Sequence, residues 1–123
     1  MGEVWKAWDT DLGRWVALKF LKEEATAAIQ GSARFRHEAR LLSRLNHPNI
    51  VRLFSFGQDE EHGAYFAMEF IDGLTLSRHV KKSALLEPAP LCHVVAQICL
   101  GLQAAHDQGV VHRDIKPGNI LLT

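Results

Sequence analysis

Apolar and polar positions alternate over residues 4–8 and 14–21, and Asp9-Thr10-Asp11-Leu12-Gly13 between them is rich in turn formers. This pattern predicts two strands joined as a hairpin. In the second strand Val16, Leu18 and Phe20 share one face and Ala17 and Lys19 the other, so the lysine stands beside a small side chain on a face with room for a flat ring. From residue 32 to 45 the spacing turns helical, with Phe35, Leu42 and Leu45 on one stripe and Arg36, Arg40 and Arg44 largely away from it. Glu38 falls on the apolar stripe. A carboxylate is costly to bury there without a cation, which makes Lys19 its natural partner across the helix–sheet contact. Asn46-His47-Pro48-Asn49 ends the helix, since proline cannot continue it and restricts the residue before it.

Residues 50–56 and 64–70 read as two further strands around a polar turn over 57–63, completing a small, mostly antiparallel sheet. At Asp72-Gly73 the pattern changes from strand-rich to helix-rich. A short helix after Thr75, a proline-bearing break over 87–90 and a long helix over 91–108 follow. The long helix places Leu91, Val94, Val95, Ile98, Leu102 and Ala105 on one face, and Gly109 is positioned to cap it. The fold class is α+β: a sheet-and-helix lobe over residues 1–71 and the start of a helical lobe over 72–123, with a cleft expected at the boundary.

The 123 residues are 47% hydrophobic and 23% charged, as in an ordinary globular domain. Fourteen basic residues balance fourteen acidic ones, so the dense positive field that nucleic acid requires is absent and no nucleic-acid partner is expected. No uninterrupted apolar run approaches the roughly eighteen residues of a membrane span, and the first residues lack the layout of a signal peptide. A cytoplasmic location is expected for this stretch, whatever anchors a longer protein elsewhere. Cys92 and Cys99 lie about 10 Å apart along one helical pattern, too far for a disulfide, and read as buried thiols. The histidines show no zinc-ligand spacing.

Candidate chemistry concentrates in His112-Arg113-Asp114-Ile115-Lys116-Pro117-Gly118-Asn119. Phosphoryl transfer needs a carboxylate beside the attacking hydroxyl and a hard oxygen ligand for Mg²⁺ close by, and Asp114 and Asn119 suit those two tasks. Taken singly, these are ordinary turn formers, and Lys19 is an ordinary strand lysine. Their order along the chain points to one site.

That order is Met1-Gly2-Glu3-Val4, then Val16-Ala17-Leu18-Lys19, a helical Glu38, Met68-Glu69-Phe70, and the H-R-D-x-x-x-x-N loop. Throughout, the chain resembles the protein kinase family. Lys116, two places after Asp114, resembles the serine/threonine-directed branch, and the wording around Gly2 and His47-Pro48-Asn49-Ile50-Val51 resembles its bacterial members. The resemblance implies that Lys19, oriented by Glu38, holds the α- and β-phosphates of ATP, and that Gly2 closes the glycine-rich loop. It further implies Val4 and Ala17 above the adenine, Leu121 below it, Met68 at the back of the pocket, and backbone groups of Glu69 and Ile71 on the adenine edge. Asp114 would accept or orient the substrate proton, Lys116 would stabilise charge on the transferred group, and Asn119 would ligate Mg²⁺. The implied partner is a protein bearing a Ser or Thr hydroxyl.

Two features depart from the family pattern. The chain begins at what matches the last glycine of the glycine-rich loop and stops at Thr123, ahead of any D-F-G. A piece of a longer coding sequence is expected, inactive by itself, with the apolar face of the 91–105 helix exposed. The alternatives are a non-catalytic kinase-like module holding a nucleotide or partner, disfavoured by the retained polar set, and small-molecule phosphotransfer, which gives Lys116 no task.

Overall fold

The computed structural model describes residues 4–21, 33–83 and 87–123, with side chains described for these except 33–36, 38, 39 and 83. Gly2 and the Glu38 side chain lie outside the described residues. The chain forms two compact units, one of Met1–Asn46 and Val51–Phe70 and the other of His47–Ile50 and Ile71–Thr123.

In the first unit β1 (Val4–Asp9), β2 (Arg14–Phe20), β3 (Leu53–Asp59) and β4 (Gly63–Glu69) form a four-stranded sheet of order β1-β2-β4-β3. Every pairing is antiparallel. The first hairpin is closed by Asp9, whose carboxylate accepts the amide N–H of Asp11 and of Leu12, each at 3.1 Å. This is how an aspartate at a strand end makes a turn. α1 (Ala33–Arg44) lies against β3, with Leu45 just past its end buried and Arg40 and Arg44 exposed. Val16, Ala17 and Ala64 are the other buried apolar side chains among the described residues of this unit.

The strands around the second hairpin are displaced from the sequence expectation. Residues 50–52 are not strand, and Gly57 belongs to β3 rather than to the turn. Gly57 faces Tyr65 across the ladder, and a β-carbon there would lie 2.5 Å from the Tyr65 ring. This glycine makes room for an aromatic ring instead of reversing the chain. The reversal occurs over residues 60–62, where the Asp59 carboxylate accepts the N–H of Glu61 at 3.0 Å and of His62 at 2.8 Å. The His62 ring first, and these amides after it, hold the Asp59 carboxyl below the usual carboxylate range.

In the second unit β5 (Leu74–Thr75) pairs antiparallel with β6 (Leu121–Leu122). The Thr75 hydroxyl accepts the N–H of Arg78 at 3.3 Å and so caps α2 (Leu76–Ser83). α3 runs over Pro88–Asp107, starting earlier than the proline break suggested. Pro88 and Pro90 fall in its first turn, where the missing N–H groups have no intrahelical partner to lose. Gly109, at φ 75°, donates to His106 at 2.9 Å and Val110 donates to Ala105 at 3.0 Å, which ends α3 as expected.

Only Gly101 and Ala105 of α3 are buried, while Leu91, Val95 and Leu100 are exposed. Cys92 and Cys99 are exposed as well, which corrects their reading as buried thiols. At 100° per residue they fall about 130–150° from the centre of the Val94–Ile98–Gly101–Ala105 row, on the opposite side of the helix. By length and composition α3 is the one helix among the described residues that would reach across a membrane. Its polar side chains nonetheless bond within protein: Gln97 accepts from Asn49 at 3.1 Å and Gln103 donates to Asp107 at 2.8 Å.

Gly73 passes so close to β6 that a β-carbon would run into the Leu122 carbonyl oxygen, whereas one at Gly118 would meet nothing within 4 Å. Gly73→Ala is therefore expected to destabilise the complete gene product by about 1–3 kcal/mol and Gly118→Ala to leave it near wild type, read by thermal unfolding. Equal midpoints for the two variants would contradict the close approach.

Candidate active site

Residues 110–116 link α3 to the 3-10 turn Pro117–Asn119, after which β6 returns to β5. The link is held by local hydrogen bonds. His112 Nδ1 accepts the N–H of Asp114 at 3.2 Å, and the intervening Arg113 takes a left-handed φ of 65°. A non-glycine residue in that conformation costs about 1–2 kcal/mol, so the surrounding bonds must hold it. The Asn119 N–H donates to the Lys116 carbonyl at 2.8 Å. The Asn119 side-chain amide donates to the Asp114 carbonyl at 2.8 Å and to Asp114 Oδ2 at 3.0 Å.

Lys116 Nζ lies 2.8 Å from the same Oδ2. That ammonium is the main reason the Asp114 carboxyl sits below the usual carboxylate range. Partial loss of water works against it, and the Asn119 bond and the Lys116 charge act with it. Asp114 is thus an anion at neutral pH. Oδ2 is engaged twice, and among the described residues Oδ1 carries no hydrogen bond. An exposed, ionised oxygen of this kind can accept a hydroxyl proton. With its nitrogen bonded to Asp114, Asn119 keeps its Oδ1 without a hydrogen bond among the described residues. No cluster of three His, Cys, Asp or Glu side chains suits a metal among the described residues. A cation here would be held by one or two protein oxygens with phosphate and water supplying the rest, which is how Mg²⁺ usually binds.

The other expected site residues divide between the two units. In the first, the register pairs Val4 with Lys19, Ala17 with Met68 and Lys19 with Phe66. Paired residues project to the same side of an antiparallel sheet, so Val4, Ala17, Lys19 and Met68 share one face. Glu69, one position on, accepts the Arg52 N–H through its carboxylate at 3.3 Å and donates its own N–H to the Arg52 carbonyl at 2.8 Å. α1 is present where the sequence puts Glu38, whose side chain is outside the described residues. In the second unit Ile71 is half-buried and Leu121 pairs with Thr75 in the β5–β6 ladder. The sequence reading assigned Asn119 to metal alone. Its grip on Asp114 and the acceptor role of His112 emerge only from the loop's geometry, although the H-x-D spacing allows the second.

The exposed carboxylate, its ammonium partner and the amide beside them form one polar loop over residues 114–119. The protein kinase domain family matches residues 1–123, and the chain belongs to that family, whose members in general use ATP and Mg²⁺. Serine/threonine-protein kinase PknA of Mycobacterium tuberculosis is 42% identical over 127 residues, covering 100% of this chain and 30% of PknA. The chain thus spans less than a third of that relative. The crystal structure of the M. tuberculosis PknI kinase domain superposes with a TM-score of 0.88 at 30% identity, covering 100% of this chain and 49% of that one. Rad53 1–466 in complex with AMP-PNP superposes with a TM-score of 0.80 at 31% identity, covering 97% of this chain and 30% of that one. The protein-kinase-like fold expected from the sequence is borne out.

Lys116→Met removes the largest influence on Asp114. A depressed value means the proton arrives only as pH falls through that lower value, so the variant carboxyl should titrate at higher pH than the wild type. Carbon-detected NMR of labelled aspartate reads this directly, and coincident curves would contradict the pairing.

Proposed function

We propose that the protein carrying this chain is an ATP-dependent serine/threonine protein kinase, with residues 1–71 as the nucleotide-binding lobe and 72–123 as the start of the catalytic lobe. The observation that carries the reading is the joint hold of Lys116 and Asn119 on the Asp114 carboxylate, within a loop matched by the protein kinase domain family. The ordered retention of Lys19, Glu38, Asp114, Lys116 and Asn119 leaves a purely non-catalytic module without a reason for that set.

In this reading Lys19, oriented by Glu38, pairs with the α- and β-phosphates of ATP, and the Gly2 backbone lies over them. Val4 and Ala17 cover one side of the adenine and Leu121 the other. Met68 closes the back, and the Glu69 carbonyl with the Ile71 N–H reads the purine edge. Mg²⁺, when bound, would neutralise phosphate charge, and Asn119 Oδ1 would be a side-chain oxygen holding it. Asp114 Oδ1 takes the proton of a Ser or Thr hydroxyl as the hydroxyl oxygen bonds to the γ-phosphorus and the bond from that phosphorus to the β,γ-bridging oxygen breaks, leaving ADP. Lys116, released from Oδ2, follows the charge on the transferred group. The substrate is a protein hydroxyl, and the chemistry belongs where ATP is abundant, on the cytoplasmic side.

Asp114→Asn in the complete gene product should lower phosphotransfer by about 10²–10⁴-fold with nucleotide binding retained. Lys19→Met should weaken nucleotide binding as well as turnover. Radiolabel transfer to a generic Ser/Thr substrate, alongside nucleotide titration, separates the two; near-normal transfer by Asp114→Asn would refute the assignment.

A further inference from the structure

Lys6 carries a charge that none of the roles above uses. It pairs with Ala17 in the β1–β2 register, so its side chain leaves the sheet on the face shared by Val4, Ala17, Lys19 and Met68. The Lys6 ammonium lies 4.5 Å from the ring centre of Trp15 and 4.3 Å from that of Phe70. Both distances are within the range of attraction between a cation and an aromatic face. Trp15 is in turn steadied by Trp8, whose ring stands edge-on at 5.0 Å. Trp8 and Trp15 are themselves a register pair, so the cluster is built on ladder geometry and not on loose surface chains.

Phe70 occupies a particular place in the chain. The β2–β4 ladder ends at the pair of Val16 with Glu69, and the first unit ends at Phe70, beyond which Ile71 belongs to the second. Its ring is therefore gripped from β1 just where main-chain pairing stops. Glu69 and Ile71, the two residues whose backbone is read above as facing the purine edge, flank it directly.

We propose that Lys6 is a positioning residue for the adenine nucleotide: by binding the Phe70 ring against Trp15 and the sheet it sets the backbone of residues 69–71. The proposal rests on the nucleotide-binding reading given above. Lys6 itself touches no reacting atom. Its effect falls on adenine affinity and on the choice between purines, because only the alignment of the edge-reading groups depends on it.

The test is steady-state kinetics on the complete gene product. Lys6→Met should raise the KM for ATP by about 5–30-fold, the size expected for losing two exposed cation–ring contacts, with kcat within about twofold. The preference for ATP over GTP should fall along with it. Lys6→Arg keeps a cation that stacks on aromatic rings and should restore the wild-type KM, and Lys6→Gln should behave like the methionine variant. In a Phe70→Leu background Lys6→Met should add a smaller rise. An unchanged KM in an enzyme that still transfers phosphate overturns the Lys6 role and leaves the kinase reading standing. A fall in kcat at constant KM, or failure of Lys6→Arg to restore, marks a merely structural lysine and also overturns it. A wild-type protein that binds no ATP ends both readings.

Discussion

The side-chain nitrogen of Asn119 donates to Asp114 at two oxygens, the carbonyl and the carboxylate Oδ2. That double donation settles three matters together. It fixes which way the Asn119 amide faces. It occupies one carboxylate oxygen of Asp114, directing the other outward. It also closes a ring of backbone over residues 114–119 that helps to hold Arg113 in a conformation it would not adopt alone. Lys116 completes the arrangement from within the same ring, and its charge keeps the carboxylate ionised. A carboxylate, an ammonium and an amide are thereby held by bonds spanning only a few residues, supported by β6 pairing back to β5.

The sheet solves a different problem, that of bringing a lysine and small apolar side chains onto one face. β2 lies between β1 and β4, so its register to both neighbours decides which residues stand beside Lys19. A slip of one residue in either ladder would send Val4 or Met68 to the other side. Register here is secured by packing on both faces. Lys6, Trp8 and Trp15 cluster on the Lys19 face, while Trp5, Phe20 and Tyr65 gather near His62 on the reverse, with Trp5 and Phe20 edge-on at 6.0 Å and Phe20 and Tyr65 at 5.6 Å. Such pairs favour one alignment over its neighbours because ring contacts are specific in distance and angle.

α3 shows how far local pattern reaches. Its apolar row over Leu91, Val94, Val95, Ile98, Leu102 and Ala105 was readable, but of these only Ala105 is buried while Leu91 and Val95 are exposed, and the other buried residue is Gly101, outside that row. Its cysteines were misjudged because a free thiol is usually buried, a statistical tendency that the helical angle overrules. The prolines at its start were read as a break because only their missing donor was counted. Their tolerance in a first turn was the relevant physics.

The sequence by itself determined the order of the first four strands and the three α-helices, the α+β class, the H-R-D-x-x-x-x-N loop and the sharing of a face by Ala17 and Lys19, because each follows from periodicity or from groups close along the chain; the short β5–β6 ladder was not readable. The tertiary structure alone decided that Gly57 accommodates a ring, that the second hairpin turns at Asp59, that Asn119 grips Asp114, and that Lys6 reaches Phe70. Those outcomes depend on distances between side chains from separate strands or from opposite ends of a loop, and no one-dimensional spacing encodes which of several allowed rotamers and turns closes them.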